Sequence, residues 1–188
     1  MANRDALRAF QARLAGRLQA ARTTAATASW LAVEAGEAKY LFPLGHAGEI
    51  FPWTPPQPVP YTAPWFMGVA NLRGGVFGVI ALAGFVTGQP AAPAPQPGEP
   101  GHAQARLVAL NELLEVNCAL QIDRLIGLRG IEAFRSSRPP APDAAPWLGH
   151  AYTDALGVRW QEINLQALSQ QPQFLSIGAD LPAHAILT

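Results

Sequence analysis

The chain has 188 residues, 49% hydrophobic and 14% charged, with a formal net charge of +0. That length holds one domain, or two small interlocked lobes, with a substantial core. The charge balance speaks against a basic nucleic-acid-binding face, and the single cysteine, Cys118, excludes an intramolecular disulfide or a cysteine-held zinc.

Residues 4–22 read as an amphipathic helix, because Leu7, Phe10, Leu14 and Leu18 share a narrow apolar stripe. Such a stripe packs most simply on its own domain; a docking helix for a partner or a second copy is the sharper alternative. Arg4, Arg8, Arg13 and Arg17 interrupt any secretory apolar core. A small polar stretch over 23–29 leads to a hairpin pattern, Trp30 to Ala35 and Tyr40 to Leu44, turning at Gly36-Glu37. Residues 51–64 carry six prolines and form a stiff surface loop. Trp53, Tyr61, Trp65 and Phe66 in and after it pin the loop to its own core or anchor an interface.

A long apolar region over 65–86 contains one charge, Arg73. As a membrane span it would place Arg73 near the bilayer centre at roughly 2.5–3.5 kcal/mol, so it reads as strands around a Gly74-Gly75 turn. A guanidinium beside so much apolar surface suits docking, since Arg forks onto carboxylates while its stem covers apolar area. A Pro-Ala-rich loop over 89–103 divides the chain into halves of similar pattern. In the second half Arg106 to Leu110 and Cys118 to Asp123 read as strands, and residues 135–146 as a Pro-rich break. Tyr152 to Trp160 reads as a hairpin, and Asn164 caps a short helix over 164–170. Cys118 reads as a small buried residue. No nucleophile elbow, P-loop or dinucleotide glycine fingerprint occurs. The four histidines stand at no zinc-ligand spacing. The chain therefore reads as a non-enzyme without metal or cofactor.

The octet Gly68-Val69-Ala70-Asn71-Leu72-Arg73-Gly74-Gly75 resembles the signature of CheW-like domains, the adaptors of bacterial chemosensory arrays. The family's Val-x-Glu-Ile-like element is matched by Ala47-Gly48-Glu49-Ile50, its apolar-Asp pair by Ile122-Asp123, and its closing helix by Ile163 to Leu168. The Asp that many members carry after the turn is replaced by Ala81. This resemblance implies a mainly β fold of two interlocked five-stranded SH3-like barrels with short helices. The implied division is an N-terminal helical extension over 1–25, the CheW-like domain over 26–178 and a tail over 179–188. The first barrel would lie mainly in 30–88 and the second mainly in 104–162.

The resemblance also implies an adaptor that couples the cytoplasmic tip of a methyl-accepting chemoreceptor to a CheA-type histidine kinase. It would be cytoplasmic, recruited to arrays at the inner membrane, with no nucleic acid and no membrane insertion. The Arg-bearing N-terminal helix favours the type IV pilus subtype, the PilI-type adaptor of twitching motility. The carried-over binding residues are Glu49, Gly68, Asn71, Arg73, Gly74, Leu125, Leu128 and Gly149. Read from the residues alone, Glu49 is a solvated turn carboxylate, and Leu125 and Leu128 are at least as easily plain core. The rival class is a β-barrel binding single-stranded nucleic acid or a small ligand, with aromatics as stacking platforms.

Overall fold

The computed structural model describes residues 28–92, 101 and 103–178. The helix expected over 4–22, the tail over 179–188 and most of the Pro-Ala-rich loop lie outside the described residues. The strands are β1 (Ala28–Ala35), β2 (Ala38–Pro43), β3 (Ala47–Pro52), β4 (Phe66–Leu72), β5 (Gly75–Ala81), β6 (Arg106–Leu110), β7 (Cys118–Ile122), β8 (Arg124–Gly130), β9 (Phe134–Arg138), β10 (Leu148–Asp154) and β11 (Arg159–Ile163). Three short helices join them: α1 (Leu82–Thr87), α2 (Leu165–Ser169) and α3 (Pro172–Leu175).

The strands form a six-stranded sheet, β8-β1-β2-β11-β10-β9, and a five-stranded sheet, β3-β6-β7-β5-β4. They do not sort by chain halves. The opening hairpin β1–β2 lies among late strands, and β6–β7 lies among early ones. The two units are interlocked in this sense. Among the described residues no hydrogen-bonded pairing closes either sheet. Two open sheets of unequal size therefore stand in place of two closed five-stranded barrels.

Both sheets nevertheless curl. Four strand spacings of about 4.8 Å separate β1 from β9 in a flat sheet, yet the rings of Trp30 and Phe134 lie 5.9 Å apart, edge to face. The cause is burial on both faces. Along β1, Leu31, Val33 and Ala35 enter a core shared by the two sheets, while Trp30 and Ala32 enter a private core with Leu41, Tyr152 and Trp160. In the five-stranded sheet, Val108, Leu120 and Ile80 face the shared core, and Leu107, Ala119 and Val79 face a second private core with Trp53 and Leu72. A sheet with apolar side chains on both faces must cover both. One face packs on the other sheet; the other is covered by curling on itself.

Local differences from the sequence reading have physical causes. The tight turn falls at Arg73-Gly74, one residue before the expected Gly74-Gly75, because Gly75 already pairs with Leu72, and the apolar run after it is strand only to Ala81; α1 then turns the chain out of the sheet and ends at Gly88 in a left-handed cap, φ 67°. A crossover is required there because β5 and β7 pair in parallel. The Pro-rich break over 135–146 begins as a strand, β9, because Phe134 packs on Trp30, Tyr152 and Trp160 and β10 supplies a partner. As the sequence suggests, Asn164 caps α2, its Oδ1 accepting the Ala167 N–H at 3.0 Å. Cys118 is buried, which pushes its thiol pKa far up.

Two carboxylates pin strand pairings. Asp154 accepts the Trp160 indole N–H at 3.0 Å and the backbone N–H groups of Leu156 and Val158 at 2.9 Å. These bonds, the indole's foremost, hold its pKa below the usual carboxylate range. Burial pushes Glu34 up, but hydrogen bonds and charge from Arg124 and Lys39 outweigh it, and its pKa is also lowered.

Leu41 and Phe42 are neighbours on β2 that point into different cores. Leu41→Ala is expected to cost about 2–5 kcal/mol and Phe42→Ala about 3–5 kcal/mol in chemical denaturation. A negligible loss for either would refute two-faced burial. Folded-state pKa values below the unfolded ones mean that Asp154 and Glu34 stabilise the fold above the ordinary carboxylate range, and that this is lost as pH falls through the lowered values. Asp154→Asn should therefore flatten the acid limb of a melting-temperature profile against pH; an unchanged limb would contradict the assignment.

Candidate functional site

β4 and β5 form a tight hairpin with Leu72 opposite Gly75, so Arg73-Gly74 is the whole loop. Both loop residues have positive φ, 51° and 85°. That is the pattern of a type I′ turn, which matches strand twist and favours Asn-Gly or Gly-Gly. Gly74 meets the demand without strain. Arg73 does not, because a left-handed L-residue crowds its Cβ against the following carbonyl oxygen at roughly 1–2 kcal/mol. Asn71 holds the turn closed, its Oδ1 accepting the Gly74 N–H at 2.9 Å. The residues Asn-Leu-Arg-Gly thus have separate tasks: a side-chain clasp, a buried anchor at Leu72, a presented cation and a turn glycine.

The Arg73 guanidinium meets the Glu49 carboxylate at 2.8 Å, with the side chains 76% and 41% exposed. An ion pair that wet contributes about 0–1 kcal/mol, less than the strain that places Arg73. Folding stability therefore does not account for it.

The pair stands at the rim of a trough of about 570 Å³. Phe51, Leu72, Phe77 and Val116 supply its apolar walls, and Asn111, Glu112 and Asn117 its polar side. Phe51 and Phe77 tilt together at 6.5 Å between ring centres. Gly48 lets β3 close on β6, since a Cβ there would come within 2.9 Å of the carbonyl oxygens of Ala109 and Leu110. Sequence reasoning missed Phe51, Phe77 and the Asn111–Asn117 side; the signal for the last was the polar turn between β6 and β7.

The structure thus brings Glu49, Asn71, Arg73 and Gly74 to one corner of the five-stranded sheet. Gly68, on β4, lies under the proline loop, where a Cβ would collide with the Gln57 carbonyl. That approach allows Gln57 to exchange backbone hydrogen bonds with Val69 and cover the β4 edge. The space at Gly68 is filled from within the chain. Leu125, Leu128 and Gly149 belong to the other sheet, and none lines the trough. Leu125 packs on the shared core and Leu128 is 45% exposed. At Gly149 a Cβ would come within 2.6 Å of the Glu162 carboxylate, which accepts the Trp30 indole N–H at 2.8 Å. Among the described residues no group of His, Cys, Asp or Glu is placed to hold a metal, and no helix is long and apolar enough to cross a membrane.

Fold and site define a two-sheet β domain whose chemical feature is an open, apolar trough with an exposed ion pair on its lip. The CheW-like domain model matches residues 29–172, and the chain belongs to that family. Among solved structures it is similar to the scaffolding protein TtCheW from Thermoanaerobacter tengcongensis, with a TM-score of 0.56 and 17% identity over 73% of this chain and 88% of that one. At that identity the likeness speaks for the fold. No curated protein matches the chain by sequence.

The division of labour in the turn is testable by melting. Arg73→Gly relieves the left-handed strain but adds unfolded-state freedom worth about 0.4–1 kcal/mol, so the melting temperature should hold or rise slightly. Asn71→Ala should cost about 0.5–1.5 kcal/mol, the worth of one hydrogen bond. The reverse order would make Arg73 a structural residue.

Proposed function

We propose that this protein is a scaffold that couples a methyl-accepting chemoreceptor to a CheA-type histidine kinase, with the Arg73–Glu49 corner as a contact site. The observation that carries the reading is a cation held in a strained turn, largely exposed, beside apolar walls it does not need for stability. Strain of this kind persists where it serves a function. A partner helix laid in the trough would bury Phe51 and Phe77, and its acidic or amide side chains would find a charge-assisted donor in Arg73. Glu49 keeps the guanidinium oriented and gives the partner's cations a counter-charge. Within the same reading the scaffold is cytoplasmic, recruited to receptor arrays, and serves the pathway of type IV pili. The pilus assignment rests on the Arg-bearing segment over 4–22 alone.

The stacking-platform alternative finds little to stack on: of the aromatic residues in and after the proline loop, Trp53, Trp65 and Phe66 are buried and Tyr61 alone is exposed. All five tryptophans are buried, and they pack on neighbours within the cores.

Arg73→Ala is expected to weaken binding of the receptor's cytoplasmic tip or of the kinase at least tenfold, about 1.4 kcal/mol, with the melting temperature unchanged. Isothermal titration beside thermal melting measures both. Undiminished binding of both partners would remove Arg73 from the interface. Deleting the gene should abolish twitching and spare swimming; the opposite phenotype would reject the pilus branch.

A further inference from the structure

A second cationic surface lies on the six-stranded sheet, and nothing in the scaffold reading uses it. Strand register fixes its geometry. Ser136 on β9 stands opposite Thr153 on β10, which stands opposite Arg159 on β11. The next rung is Arg138, Ala151 and Gln161. Residues paired in register share a face, so Arg138 and Arg159 occupy diagonal corners of one small patch. Two strand spacings across and two residues along put their backbones about 12 Å apart, a gap that two long side chains leaning inward can close. The patch is a bay of about 320 Å³. Ala151 floors it with a single methyl, and the Ser136 and Thr153 hydroxyls line it.

No acidic residue among those described lines the bay, although Arg159 also borders a neighbouring pocket that includes Glu37. Among the described residues the ion pairs use Lys39, Arg73 and Arg124, and neither Arg138 nor Arg159 takes part. The Ser136 and Thr153 hydroxyls likewise make no hydrogen bond to another described residue, unlike Ser169 or Thr87. The nearest acids on these strands point to the opposite face: Asp154 toward the Trp160 indole and Glu162 toward Trp30. Two exposed guanidiniums lining one bay, neither in a described ion pair, gain nothing from the fold's own charges. Next to the bay, and sharing both arginines, runs an apolar trough of about 370 Å³ walled by Pro139, Pro140, Ala144 and Leu148.

We propose that this bay is a second docking site, which takes the carboxylate side chain of an acidic segment of a partner protein while the adjoining trough takes an apolar residue next to it. Arg forks match carboxylates in two-point contact, and the hydroxyls add donors to the remaining lone pairs. The wall of Pro139 and Pro140 is stiff, so the trough loses little entropy when filled. The site stands on a different sheet from Arg73 and does not depend on the scaffold reading.

The test is fluorescence anisotropy with the full chain and a labelled decapeptide centred on Glu-Glu-Leu-Leu. Saturable binding is expected, at least tenfold weaker for the Arg138→Gln/Arg159→Gln double variant and for a Gln-Gln-Leu-Leu peptide, and reduced by high salt. The double variant should melt at the parent temperature, since neither arginine takes part in a described ion pair. Absence of saturable binding, equal binding of the Gln peptide, or undiminished binding by the variant would overturn the proposal. Displacement of the peptide by inorganic phosphate but not by glutamate would also overturn it, in favour of a phosphoryl ligand.

Discussion

Laid flat, a five-stranded sheet would hold Glu49 on β3 about 14–19 Å from the turn after β4; here its carboxylate touches the Arg73 guanidinium at 2.8 Å. That contact depends on the curl of the sheet, and the curl depends on burying both faces of the central strands, β5, β6 and β7 here and β1 and β2 in the other sheet. Leu107, Val79 and Ala119 need cover as much as Val108, Ile80 and Leu120 do. Packing two sheets face to face satisfies only one set. Rolling each sheet about its own small core satisfies the other, and it brings the sheet's first and last strands together at a seam. The seam is joined by side chains, because no backbone pairing closes it among the described residues.

A seam of that kind is a natural docking place. Edges are where a sheet offers unpaired groups and gaps between side chains, and here the gap is a trough with phenylalanine walls. The proline loop guards the β4 edge through Gln57, which leaves the Arg73 corner as the open end. The five-stranded sheet is the continuous run β3 to β7, set between β1–β2 and β8–β11 of the other sheet, so the chain crosses between the two curled units twice, from β2 to β3 and from β7 to β8.

Much of this was legible in the sequence. A turn could be read from Gly74-Gly75, one residue beyond where it falls, and the cap of α2 from Asn164, because both depend on local chemistry. The family likeness gave the mainly β character. What the sequence hid was non-local. Strands buried on both faces lose the alternation that marks a strand, so which face of β1 or β6 met which core could not be read. The strand at Phe134 was masked by the prolines just after it. Gly68 was carried over as a binding residue from the family pattern, whereas Gln57, eleven residues earlier in the chain, fills the space beside it. Phe51 and Phe77 met across the trough only once the sheet had rolled.

The scaffold claim has one most direct measurement: size-exclusion chromatography of the receptor's cytoplasmic tip and the CheA-type kinase, alone and with this chain. The account predicts that tip and kinase elute separately, and that adding the chain moves all three into one larger complex. Tip and kinase co-eluting equally well without it, or the chain eluting alone in their presence, would contradict the claim.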